Sequence, residues 1–349
     1  MNKNNNNLSR KILLSMALLG LLATPAAQVL AQQVDKSAPA GTGIYEAVIS
    51  NNDGHIYVTA AGSRNTPGGA IYKLDPTSLS VVDSISLKDN PPFGIAINNK
   101  TQTVYTTNTR SNSVSAVDIR SGKLLATITH GGEKSHTREV LVDEKNNLIY
   151  VSDVGDPSSI WVIDGKTNKY LHTLENIGKT VTGMVFAPGN NNVLYVTVMS
   201  DNAIAKVNTK TRKVEKTFPS GGEAPVNIVS DGKYLFVANQ KSGTITVLDD
   251  SGNLIHSVPT GAGAIGIAYD AVKSRIYSAN RQTGTTSIID ANTFKVIADL
   301  QTGSHPNNVK VDSKTGIAYV VNKAKGGRPV EGQAAVKDIN GDTVTRIVD

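Results

Sequence analysis

The chain has 349 residues, a formal net charge of +6 and only 5% aromatic residues, and it contains no cysteine. Without cysteine it forms neither disulfides nor thiolate metal centres. Three basic residues (Lys3, Arg10 and Lys11) stand unopposed in the first 31 positions, so the remainder carries about +3 (6 minus 3), too little for whole-chain basicity to argue for a nucleic-acid partner.

Those first residues read as a secretory signal peptide. A polar, basic start leads into an apolar run over 12–22, and Val29-Leu30-Ala31 satisfies the small-x-small cleavage rule. The run is too short to span a bilayer comfortably, and no cysteine follows for a lipid anchor. The expected compartment is the periplasm, with release into the medium as the alternative. The mature chain is expected to have no transmembrane segment and to be a monomer. Residues 32–40 form a polar leader that either stays loose or adds a strand to the last repeat.

From residue 41 to 349 one unit recurs seven times. Its anchors are Tyr57, Tyr105, Tyr150, Tyr195, Phe236, Tyr277 and Tyr319, spaced by 48, 45, 45, 41, 41 and 42 residues. In the second unit, short β-runs cover 94–98, 104–108, 114–118 and 124–129, separated by Asn- and Gly-containing turns. Four β-runs in a period of forty-odd residues predict an all-β fold, a seven-bladed β-propeller of four-stranded antiparallel blades in one domain. The anchors are expected in the core. The third run closes on Asp75, Asp118, Asp164, Asp249 and Asp290, and on Asn208 and Asn340 in the other two units, as short side chains that cap turns. Trp161, the only tryptophan, aligns with Tyr72, Ser115, Ala205, Thr246, Ser287 and Lys337; the position reads as blade surface, with packing favoured over ligand stacking.

Loops joining strands two and three, and loops joining blades, share one face of such a propeller, and function usually sits there. They carry Arg64, Arg110, Lys241, Arg281, Lys323, Lys325 and Arg328, while most opposing acids fall in blades three and four. Entering the first strands, the equivalent positions are Tyr45, Phe93, Arg138, Thr182, Val226, Ile265 and Asn307. The next ring is Glu46, Gly94, Glu139, Gly183, Asn227, Gly266 and Asn308. Tyr45 and Phe93 beside basic side chains could stack flat rings over phosphates or carboxylates; as hydrophobic plugs they would do neither. The candidate ligand site at the mouth is therefore Tyr45, Arg64, Phe93, Arg110, Arg138, Lys241, Arg281 and Lys323. Two long loops, 61–69 and 323–334, could cover it.

Catalytic and metal signatures are sparse. No histidine pairs with another ligand at metal spacing, and no phosphate-binding glycine loop, nucleophile elbow or haem motif occurs. No catalytic residue, metal or cofactor is assigned. His136 and His305 with Glu46 and Glu139 are the only acid/base inventory near the axis.

The units Tyr105-Thr106-Thr107-Asn108, Phe236-Val237-Ala238-Asn239, Tyr277-Ser278-Ala279-Asn280 and Tyr319-Val320-Val321-Asn322 resemble YVTN-type propeller repeats. The chain from about residue 41 resembles the bacterial periplasmic YncE-like proteins, with further matches at Pro92-Phe93-Gly94, Ile160-Trp161-Val162-Ile163-Asp164-Gly165 and His305-Pro306-Asn307. The resemblance implies a periplasmic seven-bladed propeller with single-stranded DNA as ligand. Three readings follow: a non-catalytic binding propeller for single-stranded DNA or another anionic ligand, a scaffold for an envelope protein partner, and a lactonase- or lyase-like enzyme.

Overall fold

The structure is a computed structural model that describes residues 31–63, 67–132, 134–326 and 338–349. The predicted signal segment up to residue 30, and Arg64 and Arg328 in the two long loops, lie outside the described residues. Residues Gln32–Val348 form one compact unit.

Short runs rich in Val, Ile, Thr and Tyr alternate with Asn-, Asp- and Gly-bearing turns, and they pair as seven four-stranded antiparallel sheets. Blade two is representative, with Ile95–Asn98 innermost, then Thr103–Asn108, Ser113–Asp118 and Lys123–Ile128. Every residue of its second strand is buried, whereas its outer strand is largely exposed. The seven anchor aromatics are all at most 2% exposed. Seven apolar clusters fill the seven gaps between neighbouring blades. One joins Ile44, Val58 and Leu74 of blade one to Tyr319, Val321 and Val344 of blade seven; another joins Tyr57 and Ile71 to Val104 and Val117. No blade could bury both its faces alone, so ring closure is what completes the core.

The N-terminus performs that closure. Gln33–Pro39 pairs antiparallel with Thr343–Val348 and is the outer strand of blade seven. Of the two alternatives open for residues 32–40, the structure has the added strand, and the propeller begins at Gln33 rather than at residue 41. Arg346 pairs with Asp35, and Thr345 Oγ1 donates to Ser37 Oγ at 2.9 Å. This closure corrects the alignment of the last unit. The third run of blade seven is Thr343–Val348, so it does not end on Asn340, and Thr345 rather than Lys337 is the partner of Trp161 in the repeat. Lys337 itself lies outside the described residues. The turn-capping reading holds elsewhere: Asp75 Oδ1 accepts the amides of Thr77 and Ser78 at 3.0 and 2.7 Å.

A second recurring bond fastens strands two and three. Asn239 Nδ2 donates to Thr246 Oγ1 at 3.0 Å, Asn280 Nδ2 to Ser287 Oγ at 2.8 Å, and Asn322 Nδ2 to Thr345 Oγ1 at 2.9 Å. The Asn108 amide meets Ser115 Oγ at 2.9 Å in the same way. At the opposite end of the ring, turns of successive blades are laced together: Lys314 Nζ to Asn51 O at 2.8 Å, Asn51 N to Asn99 Oδ1 at 2.8 Å, and Asn99 N to Glu144 Oε1 at 2.7 Å.

Deleting residues 32–40 removes the outer strand and leaves Thr343–Val348 as a bare edge, a template for pairing with other chains. The shortened protein is expected to melt at least about 5 °C lower and to associate with rising concentration, as read by calorimetry and light scattering. An unchanged, monomeric protein would show that closure contributes nothing.

Candidate functional site

The axial mouth is built by bonds that cross from blade to blade. The third residue of the repeated tetrad is a threonine in blades one, two and four, and its hydroxyl reaches the backbone of the next blade's mouth residue. Thr59 donates to Phe93 O, Thr107 to Arg138 O at 2.8 Å, and Thr197 to Val226 O at 3.0 Å. The same hydroxyls accept an amide of their own blade's first strand, Gly94 N on Thr107 at 2.8 Å and Gly183 N on Thr197 at 2.7 Å. Blades five to seven have Ala238, Ala279 and Val321 there, and in blades five and seven an asparagine substitutes, from the second ring and from the mouth itself. Asn227 Nδ2 donates to Ile265 O at 2.8 Å, and Asn307 Nδ2 to Tyr45 O at 2.9 Å. Glycines in the second ring allow the approach: a Cβ on Gly94 would lie 2.1 Å from Arg138 O, and one on Gly183 would lie 2.7 Å from Asn227 Cα.

Six of the eight expected site residues converge here. Tyr45 and Phe93 meet edge to face with centroids 5.3 Å apart. The Arg110 guanidinium lies 5.2 Å from the Phe93 ring, and Lys323 Nζ lies 4.7 Å from the Tyr45 ring, distances at which a cation is attracted by the ring face. Arg110 is held from behind by Nη1 donating to Ala61 O at 2.9 Å, and Arg281 by Nη1 donating to Asn307 Oδ1 at 2.7 Å. Tyr45 and Phe93 are both half-buried. Lys241 does not join: it is paired with Glu223 at 2.6 Å, both side chains being well exposed. Arg64 lies outside the described residues.

The cations outnumber their partners. Burial pushes Lys323 down to about 8, and Arg281, Arg110 and Arg138 add to the shift against the opposing pull of Asp342. Burial also lowers the pKa of Arg281, with Arg138 contributing. Arg138 is 3.8 Å from Glu139 Oε1, too far for a hydrogen bond, and its Nε has no hydrogen-bond partner despite being buried.

Beneath the cations the charge reverses. Glu46 is 3% exposed and accepts the Ile95 amide at 3.4 Å. Burial and the neighbouring Glu139 carboxylate push Glu46 well above the usual carboxylate range, against the pull of Lys310 and Arg138, which favours its protonated form. The two glutamates thus interact with each other as well as with the expected basic neighbours. Lys310 was missed in the sequence, although it lies two residues beyond Asn308 on the same strand and so shares its face. The proposed acid/base inventory is divided. His305 sits among the cations, its pKa lowered by burial, Arg281 and Lys325, whereas His136 lines a separate cavity in blade three. Among the described residues no group of His, Asp and Glu is arranged to hold a metal ion, and no helix is long and apolar enough to cross a membrane.

A family model that matches most of the chain decides the family. Residues 34–258 match the YNCE-like beta-propeller family. The chain belongs to it. Among YNCE-like relatives, YncE of Salmonella typhi, described as uncharacterised, is 30% identical over 332 residues, covering 91% of this chain and 93% of its own. The Escherichia coli K12 protein of the same description is 28% identical over 326 residues, covering 89% and 90%. Among solved structures, a chain of Kuenenia stuttgartiensis hydrazine synthase superposes with a TM-score of 0.68 at 16% identity, over 85% of this chain and 95% of that one. That likeness concerns the YNCE-like fold and not its chemistry.

Replacing Thr107 by Val keeps the shape but leaves the Gly94 amide without its partner and Arg138 O without its donor. The variant is expected to lose about 1–3 kcal/mol of stability in denaturant unfolding. A loss below about 0.5 kcal/mol would show that the hydroxyl does not hold the mouth.

Proposed function

We propose that the mouth binds an anionic ligand with flat rings, single-stranded DNA being the class that fits best, and that it does so without catalysis. The observation that carries this reading is the crowding of Arg110, Arg138, Arg281 and Lys323 around two half-buried aromatic rings, with Lys323 held at about 8 by its surroundings. A cation cluster of this kind is relieved by an anion. A phosphodiester strand supplies both the charge and the bases to stack on Phe93 and Tyr45. Duplex DNA keeps its bases paired and stacked, so the platform favours the single strand. The secretory leader read in residues 1–31, which lie outside the described residues up to residue 30, supports the periplasm as the compartment.

A second reading, a scaffold for an envelope partner, draws on the aliphatic pairs exposed on the outer strands: Val81 with Val82, Leu124 with Leu125, and Leu254 with Ile255. Loss of a co-purifying partner on mutating these pairs to Thr would support it.

Fluorescence anisotropy with labelled oligonucleotides tests the first. The expected result is preference for the single strand and a slope of log affinity against log salt of about −3, for four phosphates neutralised on a single strand. Phe93→Ala should weaken binding by about 1–3 kcal/mol, and Arg110→Ala should weaken all sequences alike. Because Lys323 is deprotonated above about pH 8 in the free protein and regains its proton beside a phosphate, affinity should be full below pH 8 and fall above it, by at most about tenfold per pH unit. Lys323→Arg should flatten that profile. No binding at low salt, or equal binding of duplex, would overturn the proposal.

A further inference from the structure

The compact unit of the chain begins at Gln32, the residue that follows the Val29-Leu30-Ala31 cleavage signal. Cleavage after Ala31 makes Gln32 the N-terminus, one residue ahead of the strand Gln33–Pro39 that closes the ring. That strand is poorly anchored by packing. All of its residues except the half-buried Ala38 are exposed. Its ladder with Thr343–Val348, the Arg346–Asp35 pair and the Thr345–Ser37 bond hold it in place. The ladder begins at Gln33 opposite Val348, and stepwise removal of residues from a free N-terminus would unpick it from that end.

Gln32 itself reaches out of blade seven. It is half-buried, and its carboxamide meets the guanidinium of Arg275 on the second strand of blade six, Arg275–Asn280. A guanidinium has donors only, so the carboxamide presents its oxygen, which accepts from Nη2 at 2.8 Å and Nη1 at 2.9 Å. Asp290 lies opposite Arg275 in the blade-six sheet and attracts it. Two charged donors on one carbonyl oxygen draw electron density from Cδ and stabilise negative charge on that oxygen, as an oxyanion hole does. A guanidinium seated on the side chain also disfavours protonation of an α-amine on the same residue, which leaves more of that amine nucleophilic.

We propose that Gln32 cyclises to pyroglutamate once cleavage frees its amine, with Arg275 promoting the reaction through the carboxamide oxygen. The α-nitrogen attacks Cδ and bonds to it, while the carbonyl π pair moves onto the oxygen held by Arg275. That pair returns as the Cδ–Nε2 bond breaks, one amine proton passes to Nε2, and ammonia leaves. No co-reactant is consumed. The product has no terminal amine for an aminopeptidase to bind at the closing strand, and its lactam oxygen remains an acceptor for Arg275. The reaction requires cleavage after Ala31, the leader reading of the sequence, and is independent of what the mouth binds.

Two measurements test this. The full chain is exported with its leader and purified, and its first residue is read by intact mass and by tandem mass spectrometry of the N-terminal peptide. The expected species begins at Gln32 and is lighter than the uncyclised chain by one ammonia. For the rate, residues 32–349 are released from a cleavable fusion, which exposes the Gln32 amine at time zero. Conversion is then followed by mass in the purified, folded protein and in urea. Cyclisation is expected to be at least about tenfold faster in the folded chain. Arg275→Lys keeps the charge but loses the paired donors, and it should slow the folded chain by about the same factor at an unchanged melting temperature. A different first residue would overturn the proposal together with the cleavage reading. A free Gln32 amine on the exported chain, equal rates in urea, or an undiminished rate in Arg275→Lys would overturn the proposal and leave that reading standing.

Discussion

The mouth depends on a hydrogen bond that five of the seven blades send to the next. Burial of apolar faces stacks the blades but has no directional preference; it would tolerate small slips of one sheet over another. The hydroxyls of Thr59, Thr107 and Thr197 and the amides of Asn227 and Asn307 remove that freedom, because each meets a backbone carbonyl of the following first strand. The bonded carbonyls belong to Phe93, Arg138, Val226, Ile265 and Tyr45, so the two aromatic rings and one of the four clustered cations take their places from these contacts. Glycine at Gly94 and Gly183 is the steric counterpart: any side chain would collide with the strand that the bond draws close.

Rigidity of this kind allows an unfavourable charge arrangement to persist. Left on flexible loops, Arg110, Arg138, Arg281 and Lys323 would move apart into water. Here Arg110 and Arg281 are tied to a backbone oxygen and an amide oxygen, and Arg138 emerges from a strand pinned by Thr107. Burial first, and repulsion from the neighbouring arginines after it, lower the pKa of Lys323. The carboxyl pair of Glu46 and Glu139 beneath relieves that repulsion only partly, since burial and the neighbouring Glu139 favour the protonated form of Glu46. Preorganised, undercompensated charge of this kind costs folding stability and lessens the reorganisation needed on binding.

The architecture was legible because one period governs it. An aromatic every forty-odd residues, flanked by β-branched residues and turn formers, has one economical solution, and all seven anchors lie in the core. Alignment to that period also located Tyr45, Phe93 and Arg138 at the mouth before any contact was known. It failed where the period is interrupted. The long excursion between Lys323 and Thr343, together with a final strand taken from the other end of the chain, shifted the last unit and misplaced Asn340 and Lys337. It failed as well where pairing is tertiary. Lys241 looks like Arg281 in the alignment, yet Glu223 on the preceding interblade loop neutralises it. Trp161 shares its position with the small hydroxyl residues Ser115, Thr246 and Ser287 and so looked superficial. It is fully buried; in blade three the indole stacks on His130 where blades two, five, six and seven have the Asn bond between strands two and three.

The central claim is that Lys323 stands in an undercompensated cation cluster that an anionic ligand completes. Its ε-ammonium can be titrated directly by carbon-detected NMR with selectively labelled lysine, assigned through Lys323→Arg, with and without a short single-stranded oligonucleotide. The account predicts a free-state titration near pH 8 that moves towards the ordinary lysine value of about 10.4 when the strand is added. A free-state value already near the ordinary one, or one that the strand leaves unmoved, would contradict it.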